Sequence, residues 1–285
     1  MADLGQIAGD DEAGVRLEIM MKTQWLALLA AVGLAYHATA QDRKESLFAL
    51  TKIAASYRVT LAPTRVAKLN EEPVIRWTKP AGEIEDAALF VWTCEDRPVV
   101  AATFLWQKNI GLYHEFQSLS LEPLKAERHG ESVWVTTKPG IKFAPVPDAP
   151  LPADTRNKRL VQMKALAEEF HSEAIKGPPY YTENSVYKFR LLPKPLLSYH
   201  ERPERDGAIF AFVQDTDPEV LLILETRSHG DGTRWEFAIA PMTGWPLSAW
   251  HKALKVWSIG RRHPGNDPTQ TYFVAGPFND ERRDK

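Results

Sequence analysis

ALFVWTCEDRPVVAATFL, residues 88–105, is written twice in this chain. Slid forward by 120 positions without a gap, it falls on AIFAFVQDTDPEVLLILE, residues 208–225. Ala88/Ala208, Phe90/Phe210, Pro98/Pro218 and Val100/Val220 are identical, and most other pairs keep their apolar or turn character. The stretch reads as a hairpin. Leu89–Thr93 is one strand, Glu95-Asp96-Arg97-Pro98 the turn and Val99–Trp106 the second strand, because β-branched and aromatic density favours strand over helix.

The echo extends outward. Trp235-Glu236-Phe237 aligns with His114-Glu115-Phe116, Pro246-Leu247 with Pro123-Leu124, and Val256-Trp257 with Val133-Trp134. Val186–Leu192 before Pro193 echoes Arg58–Ala62 before Pro63. Two apolar stripes at helical spacing precede the copies: Leu47, Leu50, Ile53 and Ala54, then Leu160, Met163, Leu166, Ala167 and Phe170 on a helix predicted over 160–174. Between the copies, FAPVPDAPLPAD holds four prolines in a dozen residues, the composition of an extended linker.

The expected fold is therefore α+β: two tandem repeats, each one helix plus an antiparallel β-meander, a cystatin-like or NTF2-like plan by element order only. The boundaries are 1–40 for an upstream extension and leader, 41–142 for the first repeat and 143–154 for the linker. The second repeat spans 155–262, and 263–285 is a polar, mobile tail in which only Thr271–Ala275 looks ordered.

The leader has a short positive start at Met21-Lys22, an apolar run from Trp25 to His37, and small residues Ala38-Thr39-Ala40. This is a signal-peptide pattern with cleavage after Ala40, so the chain is expected to be exported to the periplasm or beyond. An uncleaved membrane anchor is the alternative, although the run is short for a span. A single cysteine, Cys94, excludes an intramolecular disulfide and reads as a small half-buried hydrophobe.

A formal net charge of -2 over 285 residues removes the electrostatic case for nucleic acid. The partners such a plan admits are an envelope or extracellular protein, or a second copy of the chain joined through edge strands. HEFQSLS at 114–120, RLLPKPL at 190–196 and DGAIFAFVQDTDPEVLLILE at 206–225 give the chain a further likeness. It resembles a family of internally duplicated, exported planctomycete proteins of unknown function. The resemblance implies export and duplication and carries no catalytic residue over.

Candidate chemistry is sparse. Glu115 and Glu236 each stand before Phe in the same strand of the two copies. They are the candidate catalytic pair, two acids facing each other between the repeats. Period-two exposure on half-buried strands produces the same pattern without chemistry. The histidines form no HxH, HxxH or HxxxH pair, and Asp215-Thr216-Asp217-Pro218 lacks the Gly and Glu of a calcium loop, so no metal and no cofactor is expected. No GxSxG, P-loop or GxGxxG occurs. Trp92, Trp134, Trp257 and Phe212 recur at matched places and are assigned to the core. Trp245 and Trp250 have no aromatic counterpart in the first copy, flank Pro246 and are the candidate ligand-binding residues. These features favour a non-catalytic binding or interaction protein. The alternative is an enzyme with an acidic site between the repeats.

Overall fold

Both faces of the two repeated hairpins are covered by protein, which is why their strands are almost continuously apolar. The computed structural model describes residues 43–61, 64–79, 83–177, 182–202, 205–230, 232–262 and 267–279. The leader of residues 1–40 lies outside the described residues. Contacts divide the chain after Phe48, and the account below concerns the unit that begins at Ala49.

In the N-terminal half, helix α1 (residues 43–55) is followed by β1 (Tyr57–Leu61), β2 (Arg65–Val66), β3 (Lys68–Leu69) and β4 (Ile75–Lys79). Then come β5 (Ile84–Cys94), β6 (Arg97–Gln107), β7 (Gly111–Ser118), β8 (Leu124–Arg128), β9 (Glu131–Val135) and β10 (Ala144–Pro145). In the C-terminal half, α2 (Arg156–Glu168) leads into β11 (Phe170–Lys176), β12 (Ser185–Lys188), β13 (Arg190–Leu191) and β14 (Leu197–Arg202). These are followed by β15 (Arg205–Gln214), β16 (Asp217–His229), β17 (Gly232–Pro241), β18 (Leu247–His251), β19 (Leu254–Ile259) and β20 (Tyr272–Phe278).

The expected fold class is overturned. Among the described residues the structure is mostly β, with 57% strand and 12% helix, and its strands do not form one meander per half. They divide into four antiparallel sheets: β2-β1-β8-β9 and β12-β11-β18-β19, each four-stranded, and β20-β7-β6-β5-β3 and β10-β17-β16-β15-β13, each six-stranded when β4 and β14 are included. Apolar runs announce strands but do not state how many sheets will cover them.

The two large sheets lie back to back. Their facing sides carry Leu89, Ala101, Leu119 and Trp77 from the N-terminal half and Ile209, Ala211, Leu221, Ile223 and Tyr199 from the C-terminal half. The outward sides each bury a second core under a helix and a four-stranded sheet. Phe90, Trp92, Phe104 and Phe116 meet Leu50, Ile53, Val59 and Trp134, and Phe210, Phe212, Leu222 and Phe237 meet Met163, Leu166, Phe170 and Leu247. Trp92, Trp134 and Phe212 are core residues as expected, at 1%, 0% and 1% exposure. Trp257 only packs against the edge of its core.

Two exchanged strands break the separation of the halves. β10, from the N-terminal half, pairs with β17, and β20, at the chain's end, pairs with β7. Each half thus lends its last strand to the other half's sheet. The segment expected to be a polar tail therefore contains a seven-residue strand, Tyr272–Phe278. Asp267 leads into it by accepting from the Thr269 amide at 3.0 Å.

The helix expected over 160–174 stops at Glu168, because Phe170–Lys176 alternates buried and exposed side chains as a strand. That strand, β11, holds the place in its sheet that β1 holds in the other, so the echo of Arg58–Ala62 at 186–192 is displaced by one strand. Both hairpin turns sit as expected. Glu95 and Asp96 have φ of 52° and 63°, the two left-handed residues of a type I′ turn. Pro98 and Pro218 follow at register shifts, where a ladder amide is dispensable. Among the described residues, no helix is long and apolar enough to cross a membrane.

Candidate functional site at the sheet junction

The β16–β17 hairpin carries a period-two set of charges on the side facing the N-terminal half: Glu225, Arg227 and His229 on one strand, Arg234 and Glu236 on the other. Its register sets Glu225 opposite Glu236 and Arg227 opposite Arg234, two like-charge pairs that would repel if they stood alone. Pairs along each strand and across the diagonal resolve this. Arg227 donates to Glu225 Oε1 at 2.8 Å and lies 3.1 Å from Glu236 Oε2, while Arg234 reaches Glu236 Oε1 at 3.0 Å. His229 Nε2 meets the same Glu236 oxygen at 2.7 Å.

Glu225 is fully buried, and the opposite half helps to hold it. Arg97, delivered by the β5–β6 turn, donates to Oε2 at 3.1 Å, and the Tyr199 hydroxyl donates to that oxygen at 2.8 Å. Arg205 adds a third guanidinium 3.6 Å from Oε1. Arg97 and Arg227 also lie over the Phe143 ring, at 5.4 and 4.6 Å from its centroid. A buried charge persists only when its lone pairs are matched in this way.

Tyr199 reaches Glu225 by crossing Gly207, its register partner on β15. A Cβ built at Gly207 would stand 2.1 Å from the Tyr199 ring. Gly207→Ala is therefore expected to lift the hydroxyl off Glu225 and to lower stability by about 2 kcal/mol, the scale of a lost hydrogen bond to a charged group. Chemical denaturation of Gly207→Ala beside Tyr199→Phe checks this; similar losses are the expected result.

Around this network a cleft of about 740 Å³ opens between the two halves. Leu121, Ile141, Phe143, Ile239 and Trp257 form its apolar wall, and Lys142, Arg227, His229, Arg234 and Glu236 its polar wall. A shallower hollow of about 510 Å³ lies on β1 and β8, around Arg58, Thr60 and Lys125.

Glu115, the other sequence candidate, belongs to a different cluster. Its carboxyl accepts from the Tyr272 hydroxyl on the exchanged strand β20. Burial pushes it well above the usual carboxylate range, and the charges of Asp217 and Glu219 add to the rise. Glu236 has Arg227, Arg234 and His229 as neighbours, so the two candidate acids share no partner among these groups. Lys79 lies 3.8 Å from Asp217, and Lys176 lies 3.6 Å from Glu219.

Burial and the charge of Glu219 raise Asp217 to about 7, against the pull of Lys79. A carboxyl raised in the folded state stabilises below its unfolded pKa near 4, and that stability is lost as pH climbs through about 7. Asp217→Asn cannot titrate. Its melting temperature relative to the parent is expected to rise by on the order of 5 °C between pH 4 and pH 8. Calorimetry at the two pH values checks the sign, which a constant difference would contradict.

Trp245 and Trp250 are half-buried and lie outside the cleft. Arg261 and Lys176 stand over the Trp245 ring at 4.7 and 5.7 Å. Trp250 stacks on His171 at 5.0 Å and 2°, with Lys255 at 4.8 Å. Among the described residues, no group of three His, Cys, Asp or Glu side chains is placed to hold a metal. Glu225, Arg97, Arg227, His229, Phe143 and Tyr199 are the site residues that sequence reasoning misses. The available signal was E-x-R-x-H at 225–229 answered by R-x-E at 234–236, alternation of charge where the rest of the hairpin is apolar. Comparison with known proteins adds no relative: no family model, curated protein or solved structure matches the chain.

Proposed function

We propose that this is an exported, non-catalytic binding module whose ligand seat is the cleft at the sheet junction. The observation that carries the reading is the cleft itself. Its volume of about 740 Å³ falls in the range of small-molecule sites, and Arg227, Arg234 and His229 in its polar wall are tied through the buried Glu236. The matched strand orders of the two halves, with the 120-residue echo in sequence, support reading them as two copies of one ancestral unit. The leader pattern through Ala40 supports export.

Native mass spectrometry of protein recovered from the exported fraction tests the proposal. The expected result is a chain beginning at Gln41 that carries an extra mass lost on denaturation. A bare chain that also binds none of a panel of small molecules would overturn the binding reading, and a chain retaining residues 1–40 would overturn cleaved export.

One observation favours a second reading. Glu236 orients His229 at the cleft's edge, an arrangement that suits a general base for water. Hydrolysis of a bound ester that is lost in His229→Ala would favour that enzyme over the module.

A further inference from the structure

The two halves differ most where their exchanged strands enter. In the N-terminal half, the residues before β20 close down on β9: the Trp134 indole donates to the Gln270 carbonyl at 2.7 Å, and the Val135 amide to Pro268 at 2.8 Å. In the C-terminal half, the corresponding residues before β10 line the cleft together with Trp257 and make no such bond to it. Gly140 instead donates its amide to Ser120 at 2.8 Å, and it passes so close to Ser118 that an added Cβ would lie 2.0 Å from the Ser118 carbonyl oxygen. Among the described residues, no hydrogen bond joins 139–143 to Trp257. Gly140 thus ties residues 139–143 to the N-terminal half beside the cleft.

We infer that the cleft takes an amphipathic anion, a carboxylate or similar acid group carried on a flat ring or short hydrocarbon body. This rests on the binding reading above and names the ligand's chemistry. Lys142, Arg227 and Arg234 line the cleft against one carboxylate, Glu236, an excess of positive charge in a chain whose net charge is -2. Arg227 is divided between Glu225 and Glu236, but Arg234 is 43% exposed and Lys142 is exposed, so both can meet a ligand. The half-buried Trp257 and the 40%-exposed Leu121, backed by the buried Ile141 and Ile239, offer a surface that only an apolar body would cover. A bare inorganic anion would leave that wall wet. A neutral ring would gain nothing from the exposed Lys142 and Arg234 head groups.

The test uses three probes on the purified protein: 2-naphthoate, its neutral analogue 2-naphthylmethanol, and inorganic phosphate, followed by calorimetry. Naphthoate is expected to bind one to one, at least tenfold tighter than the alcohol and more weakly at high salt, with no saturable phosphate binding. Trp257→Ala should weaken naphthoate at least tenfold. Arg234→Ala should bring naphthoate and the alcohol to equal affinity. Trp250→Ala, on the outer sheet, should leave binding unchanged, and circular dichroism confirms that each variant is folded. Equal affinity for both ring probes in the parent protein would overturn the anion inference and leave the binding module standing. Failure of every probe, with an extra mass still seen in native spectra, would overturn this inference alone. Failure in both would overturn the module too.

Discussion

Glu225→Ala is expected to destabilise the protein by about 3–5 kcal/mol, because it takes the carboxylate from the buried Arg97 while Arg205 and Arg227 stay close by, with Glu236 alone left to answer Arg227. Arg97, Arg205 and Arg227 all lie within 3.6 Å of the Glu225 carboxylate, and none can shed its charge. For a chain of this size the loss amounts to roughly 10 °C in melting temperature. Glu225→Gln keeps the volume and one acceptor, so it should fall between the variant and the parent. Denaturant titration of all three checks the order. Parental stability in Glu225→Ala would mean that the arginines find water or another acid, and that the junction is looser than its geometry.

Ending the chain after Gln270 should have a still larger effect. It removes β20, and with it Tyr272 and Phe273, which are 5% and 7% exposed. Each such side chain contributes about 1.5–3 kcal/mol by burial alone. The ladder to β7 goes with them, and an unpaired apolar edge invites association with other chains. Domains are stable by only about 5–15 kcal/mol, so the shortened protein is expected to lose cooperative melting and to run as aggregate on size exclusion. A synthetic peptide spanning residues 271–279, in excess, should restore the monomer. A truncated chain that stays monomeric with unchanged melting would show that β20 is dispensable.

The hairpins were legible because strand-forming residues and turn residues fall together: Glu95-Asp96 and Asp215-Thr216 each close a pair of strands that local pattern alone can find. Layering was not legible. Ala88 to Leu105 says that both faces are covered, and nothing within it says whether one sheet or four does the covering. β11 hid because Phe170 prolongs the apolar stripe of α2 by one turn, so one residue satisfied both periods. Thr271–Ala275 showed as an ordered patch in a polar tail, but its pairing as β20 did not, because its neighbours are charged and prolyl and its partner strand is remote in sequence. The site hid for the same reason. Glu225 ends an apolar run, and the arginine that answers it from the other half lies 128 positions away. Glu115 and Glu236 stood out by local likeness, a likeness that says nothing about their different surroundings.

The exchanged strand also sets an order of events during synthesis. β7 emerges early, but the hydroxyl that reaches Glu115 belongs to a residue 157 positions later. At ordinary ribosomal speed that is a wait of roughly ten to thirty seconds. Throughout it the N-terminal half carries an unpaired edge, and it completes its sheet only when β20 arrives. The sheet that β7 belongs to is therefore finished by a strand made long after its other members, and any early fold of the N-terminal half has to leave the β7 edge open to receive it.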